Sequence, residues 1–312
     1  MAQFTRPEII RPPSERNSYF LPVTSGCSNN TCTFCNYYGC KLQMRDVNEA
    51  KAEIDAVAAY VKDRIQVPGT NRIVYHVINH WWDGKKVFLQ DGDALVYPFE
   101  RLRDVLTHLK NKLPFIERVA AYATAQDILR KSPEELKELR ELGLGFVYMG
   151  LESGDDELLK YIGKGVTSAQ IIEAGKKAKD AGMKQSITVI LGLGGNKERG
   201  RHVKATARVL SEIDPEFAAA LTMTMTPGTP LYDDWQAGRF ELISPMDSLE
   251  ELKAIVEQSN FTDCFFSSMH ASNYFSIRGK LPREKERMIE ELTHIIEQKD
   301  PSLLRPEYLR GL

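Results

Sequence analysis

Tyr19-Phe20-Leu21-Pro22-Val23-Thr24-Ser25-Gly26-Cys27-Ser28-Asn29-Asn30-Thr31-Cys32-Thr33-Phe34-Cys35 begins as a short apolar run and breaks into a polar loop that carries three thiols. The run Tyr19–Val23 reads as a buried strand. The thiols therefore sit in a loop at a strand's C-terminal end, where α/β barrel enzymes place their chemistry. Three closely spaced thiolates can ligate three irons of a cubane cluster and leave the fourth iron open. A structural zinc site is the competing reading, with Cys40 completing a four-thiolate tetrahedron.

Outward from this loop, short apolar runs alternate with amphipathic helical segments about every 30 residues, the pattern of βα units and a parallel sheet. Strands are predicted at Tyr19–Val23, Lys86–Gln90, Glu117–Thr124, Gly145–Gly150, Lys184–Leu191 and Glu216–Thr222. Helices are predicted at Asp46–Asp63, Phe99–Lys110, Ser132–Leu142, Ser168–Ala181 and Lys197–Ile213, with Ser248–Gln258 and Pro282–Gln298 after the last strand. The expected fold is α/β: a partial (βα)6 TIM-type barrel with a mostly helical C-terminal extension. The segments 66–85 and 259–282 read as long loops. His76, His80, Trp81 and Trp82 in the first suit either a lid or interior packing. In the second, His270, Asn273 and Tyr274 combine an imidazole, an amide and an aromatic hydroxyl, and are candidate substrate contacts.

Acidic and basic residues nearly cancel, 43 against 41, so no global field favours nucleic acid or anionic lipid. The polar N-terminus lacks a signal-like apolar core, and no apolar stretch reaches the length of a membrane span. A cytoplasmic protein with a small-molecule substrate is expected, and no membrane. Four of the five cysteines crowd between Cys27 and Cys40, spacing that suits a metal better than a disulfide framework. Cys264 stands alone and reads as a small buried apolar residue.

Cys27, Cys32 and Cys35, Phe34 before the last thiol, and the βα pattern downstream together resemble the radical S-adenosylmethionine (SAM) superfamily. The spacing here is CxxxxCxxC, one residue longer than the usual CxxxCxxC, so the loop must bulge. Gly150-Leu151-Glu152-Ser153-Gly154, with Gly163-Lys164-Gly165 downstream and Pro227–Tyr232 after the sixth strand, is similar to coproporphyrinogen oxidase-like and methylthiotransferase-like members. The resemblance covers residues 18–235, which leaves residues 1–17 as an N-terminal arm and 236–312 as the extension. It implies a [4Fe-4S] cluster on Cys27, Cys32 and Cys35, with SAM on the open iron. It implies cofactor contacts from Phe34, from the Asp91-Gly92-Asp93 turn toward the SAM amino group, and from Glu152 toward the ribose with Ser153 beside it. Lys164 would face the SAM carboxylate, and Gly192 and Gly194 the adenine.

What the resemblance implies about activity is reductive SAM cleavage, with a 5′-deoxyadenosyl radical that abstracts hydrogen from a small molecule. A one-electron donor of flavodoxin or ferredoxin type would supply the electron. Thr188 stands where porphyrinogen-oxidising relatives tend to have an aspartate, which argues against carrying over their substrate. Two alternatives stay open: a non-catalytic carrier of a heme-like ligand on the same scaffold, and an RNA-modifying enzyme. The balanced charge counts against the second.

Overall fold

The computed structural model describes residues 4–311. Among the described residues the main sheet counts eight strands. The described residues divide into two compact units, residues 4–30, 39–148 and 177–184 in the first and 31–38, 149–176 and 185–311 in the second.

In the first unit, β1 (Tyr19–Pro22) pairs in parallel with β4 (Lys86–Gln90), β4 with β5 (Arg118–Tyr122), and β5 with β6 (Leu144–Glu152). The registers set Leu21 against Leu89, Leu89 against Ala121 and Tyr122 against Tyr148. All four residues of β1 and the last four of β4 are buried, as in a parallel strand covered on both faces. A small ribbon of β2 (Thr24–Ser25) and β3 (Gln43–Met44) brackets the cysteine loop.

The helices of this unit are α1 (Val47–Asp63), α2 (Arg72–His80), α3 (Phe99–Lys112), α4 (Ala125–Arg130) and α5 (Pro133–Glu141). Local chemistry fixes their ends. Asp46 caps α1 by accepting from the Asn48 amide at 2.8 Å, and Ser132 and Glu135 close a capping box on α5. Residues 66–85 were expected as a loop but carry α2. Asn71 caps that helix, and Val74, Tyr75 and Val77 bury one face of it. Trp82 is packing material: its indole donates to the Lys86 carbonyl at 2.7 Å and its ring lies 5.8 Å from that of Tyr19.

The N-terminal segment is docked through Glu15, which is fully buried. Its carboxylate accepts from Tyr148 at 2.6 Å and from Ser18 at 2.5 Å, and it pairs with Arg118. That set of donors is what a buried charge requires.

In the second unit, β7 (Lys184–Leu191) pairs in parallel with β8 (Phe217–Thr222), with Leu191 against Thr222. Its helices are α6 (Asp156–Tyr161), α7 (Ser168–Asp180, whose end belongs to the first unit), α8 (Gly195–Ile213), α9 (Pro230–Gln236), α10 (Pro245–Gln258) and α11 (Lys285–Gln298). The six strands read from the sequence are β1 and β4 to β8. Residues 259–282, also expected as a loop, hold two more: β9 (Cys264–Ser267), parallel to β8, and β10 (Arg278–Leu281), antiparallel to β9. The extension thus adds strands as well as helices. Only Cys264 and Phe266 of β9 are buried, too short an alternation to stand out from a loop.

Candidate functional site

The cysteine loop opens at Gly26, whose φ of +90° strains any residue with a side chain, and a Cβ there would lie 3.2 Å from the Lys41 carbonyl oxygen. Its amide donates to Asp91 at 3.1 Å. Two residues on, Ser28 Oγ lies 2.5 Å from Asp93 and 2.6 Å from Asp127. A hydroxyl has one hydrogen, so a proton on one carboxyl completes both contacts. Burial and the adjacent Asp127 push the Asp93 pKa well up. The Asp127 pKa lies below its ordinary value: burial opposes this, but hydrogen bonds from Asp93, Ser28, Thr124 and Arg130 outweigh it. Asp93 therefore holds the proton and Asp127 the charge, neutralised by Arg130 at 2.8 Å. Asp91 and Asp93, 2% and 0% exposed, anchor the residues on either side of Cys27. Gly92 between them is half-buried.

In the second unit, residues 31–38 form the rest of the loop. Cys32 is buried, and the Cys35 amide donates to its carbonyl at 3.2 Å. Thr33 donates its amide to Ile162 O at 2.8 Å, and Thr31 its hydroxyl to Gly163 O at 2.8 Å. A Cβ on Gly163 would lie 2.3 Å from the Thr31 carbonyl oxygen. The loop carrying Cys32, Phe34 and Cys35 is thereby pressed onto the turn that presents Lys164. Among the described residues no group of three His, Cys, Asp or Glu side chains is arranged to hold a metal ion. The fit to a cluster therefore rests on the donor set, three thiols of one short loop, which suits iron–sulfur or zinc chemistry.

Glu152 ends β6 with a φ of +62°, a conformation that is strained for a side chain with a Cβ. Its carboxylate folds back over Gly150 and meets Lys164 Nζ at 2.8 Å, with both side chains nearly buried. A Cβ on Gly150 would lie 1.9 Å from Glu152 Oε1 and 3.0 Å from Lys164 Nζ. Glycine is what leaves this pair its space.

The turn after Glu152 is held by a residue that sequence reasoning missed. His202 on α8 is fully buried, and its Nε2–H donates to the Ile190 carbonyl at 3.1 Å. Its Nδ1 then accepts from the Ser153 hydroxyl at 2.8 Å, and Ser153 Oγ accepts from the Asp155 amide at 3.1 Å. Burial pushes the imidazole pKa down to about 4, so the ring is neutral. The available signal was a histidine on the apolar stripe of α8 with Thr206 and Val209.

At the end of β7, Gly192 has a φ of +79°, and its amide donates to Glu251 Oε2 at 2.7 Å. Glu251 on α10 is 1% exposed and its Oε1 has no partner among the described residues. Burial pushes its pKa up to about 7. Gly194 caps α8, and a Cβ there would press on Glu198 at 3.2 Å.

Gly192 also lines a cavity of about 540 Å³ at the ends of β7 and β8, closed in part by Tyr274 and Arg310. Of the candidate substrate residues, Tyr274 reaches this cavity. Asn273 does not line it; its amide is occupied by Ala220 O, Ser268 O and the Thr222 hydroxyl, each at 2.8 Å. His270 Nδ1 accepts from the Ser272 amide at 3.2 Å and organises its own turn.

The family model of the radical SAM superfamily matches residues 21–210. The chain belongs to the radical SAM superfamily. Members are enzymes that carry a [4Fe-4S] cluster and SAM, act on a substrate and need a reductant. The chain is 29% identical over 140 residues to an uncharacterized methyltransferase of Pyrococcus horikoshii, covering 45% of this chain and 30% of that protein. It is 24% identical over 207 residues to the heme chaperone HemW of Bacillus subtilis, covering 62% of this chain and 54% of that one. It thus spans between about a third and about half the length of these relatives. The coproporphyrinogen III oxidase of Escherichia coli, a radical SAM enzyme, has a similar fold at a TM-score of 0.52 and 16% identity, over 78% of this chain and 53% of that one. No helix among the described residues is long and apolar enough to cross a membrane.

Proposed function

We propose that this radical SAM enzyme cleaves SAM reductively and uses the 5′-deoxyadenosyl radical to abstract hydrogen from a small molecule, in an oxidation or a rearrangement. Cys27, Cys32 and Cys35 would hold the [4Fe-4S] cluster. When bound, cluster and SAM supply the electron and the radical precursor. The observation that carries this reading is the Glu152–Lys164 pair, 2.8 Å apart at the end of β6. A carboxylate accepts from two hydroxyls and an ammonium donates to a carboxylate, the groups that the ribose and the methionine moiety offer. SAM would exchange one ion pair for two sets of charge-assisted contacts.

Ser153, tied to His202, fixes the backbone at Glu152. Asp91 and Asp93 hold the two sides of Cys27, and the Asp91–Asp93 turn is the candidate acceptor for the SAM ammonium. Phe34, Gly192 and Gly194 are the candidate apolar and small-residue contacts of the adenosyl group.

The test is anaerobic reconstitution with iron and sulfide, then dithionite and SAM, with 5′-deoxyadenosine measured by chromatography. Wild type should form it, Cys32→Ala should not, and Lys164→Met should lose about tenfold or more, since one charge-assisted contact contributes that much. A wild type that assembles its cluster, binds SAM and yields no deoxyadenosine would exclude the enzymatic reading. It would favour a ligand carrier, the role that the name of HemW states for that relative.

A further inference from the structure

The carbonyls of a packed loop need donors, and a loop outside helix and strand must find them elsewhere. Loop 270–274 finds them in one segment, residues 304–311. Arg305 Nη1 donates to Ala271 O at 2.6 Å and lies 3.3 Å from both His270 O and Asn273 O. The Arg305 amide donates to Tyr274 O at 2.7 Å, and Arg310 Nε to Ser272 O at 2.6 Å. Five successive carbonyls thus accept from two arginine residues. His270 O has a second donor inside the loop, the Asn273 amide at 3.1 Å. For the other four no further donor is seen among the described residues. A guanidinium fork serves several acceptors in fixed directions, which the point charge of an ammonium does not.

The loop so shaped roofs the cavity at the ends of β7 and β8. Ser272 Oγ accepts from the Thr222 amide at 3.2 Å and Asn273 Nδ2 donates to Ala220 O at 2.8 Å, which hooks the loop to β8, and Tyr274 lines the cavity. Arg310 spans the same place, donating to Met223 O at 2.8 Å while its guanidinium lies 4.1 Å over the Tyr274 ring. The segment itself has little apolar anchorage. Leu304 is buried, whereas Leu303, Tyr308 and Leu309 are exposed. An element held by polar contacts with little apolar burial opens at low free-energy cost.

We propose that residues 304–311 form a strap, with Arg305 and Arg310 as positioning residues: loop 270–274 keeps the shape that roofs the cavity only while both guanidiniums are docked. The inference rests on the reading that gives Gly192, which lines this cavity, to the adenosyl group. Docking of the strap and binding of SAM then favour each other, because a ligand that needs the roof stabilises what holds it, and such coupling is reciprocal. Arg305 does not line the cavity, so its effect on SAM is exerted through the loop.

The test is hydrogen–deuterium exchange by mass spectrometry on the reconstituted full-length protein, kept anaerobic, with and without SAM. In Arg305→Ala without SAM the amides of 270–274 should exchange about tenfold or more faster, the loss of one charge-assisted contact, while α11 keeps its rate. Millimolar guanidinium should restore the wild-type rate by refilling the place of the missing side chain, and millimolar ammonium should not. SAM should slow exchange of 270–274 and of 304–311 in wild type. Its dissociation constant, from equilibrium dialysis, should rise about fivefold in Arg305→Ala.

Unchanged loop exchange in Arg305→Ala would overturn the strap, as would rescue by ammonium as full as that by guanidinium. So would SAM binding that is equally tight in both proteins and leaves exchange of 304–311 unaltered. If Arg305→Ala does not fold, the wild-type response of 270–274 and 304–311 to SAM, set against α11, decides the matter. A wild type that binds no SAM would sink the functional reading instead, and the exchange measured without SAM still decides the strap.

Discussion

Replacing Glu251 with glutamine changes the pH dependence of stability in a direction that the structure fixes. Burial raises the pKa of this carboxyl from an ordinary 4.5 to about 7. A folded state that binds the proton more tightly than the unfolded chain loses stability as pH rises, here from 4.5 through 7. At 1.36 kcal/mol for each pH unit of separation the whole effect is about 3 kcal/mol. His202 works in the opposite sense. Its pKa falls from 6.5 to about 4, so its contribution is present above 6.5 and is lost as pH falls through 4.

The two windows overlap between 4.5 and 6.5, and over that span the wild-type curve hides both effects. The difference between wild type and Glu251→Gln does not. The glutamine oxygen can still accept from the Gly192 amide, and glutamine does not titrate. Urea unfolding followed by circular dichroism, at half-unit steps from pH 4.5 to 7.5, should show the variant gaining on wild type by about 3 kcal/mol across the series. The offset depends on how the amide settles where Oε1 has no partner; the slope does not. A difference that stays flat across this range would refute the reasoning, because it would mean that water reaches Glu251 in the fold.

Gly150→Ala places a Cβ 1.9 Å from Glu152 Oε1, so it should push that carboxylate off Lys164 and weaken SAM binding about tenfold in equilibrium dialysis while far-ultraviolet circular dichroism stays unchanged. Gly154→Ala would set its Cβ 2.2 Å from the Ala205 carbonyl oxygen on α8, and should cost about 2 kcal/mol or more in urea unfolding because helix and turn must part. Cys264 is fully buried, and burial pushes its thiol pKa up to about 12. Iodoacetamide should leave it unmodified in the native protein and label it in urea, as peptide mass mapping would show.

Most of the strands were legible because parallel strands covered on both faces are apolar throughout, as Tyr19–Leu21 and Val87–Leu89 are. The helix α2 was hidden by its composition: two histidines and an asparagine mask a stripe of only three buried side chains. The strands β9 and β10 are each four residues long and half exposed, below the length at which alternation separates strand from loop.

Motif residues such as Glu152 and Lys164 could be named from the sequence, whereas what supports them could not. His202 and Glu251 look like any polar residue on an amphipathic helix until their burial is known. The pairing of Asp93 with Asp127 through Ser28 joins residues far apart in the chain. Tyr274 was named for its chemistry, but the commitment of Arg310 to Glu307, Ser272 and Met223 beside it exists only in three dimensions.

The most direct test of the central claim is electron paramagnetic resonance of the reconstituted, dithionite-reduced protein before and after SAM, beside its iron and sulfide content. The account predicts about four irons and four sulfides per chain, and a cluster signal that shifts when SAM reaches the open iron. A chain that retains only zinc, or a cluster whose signal is indifferent to SAM, would contradict it.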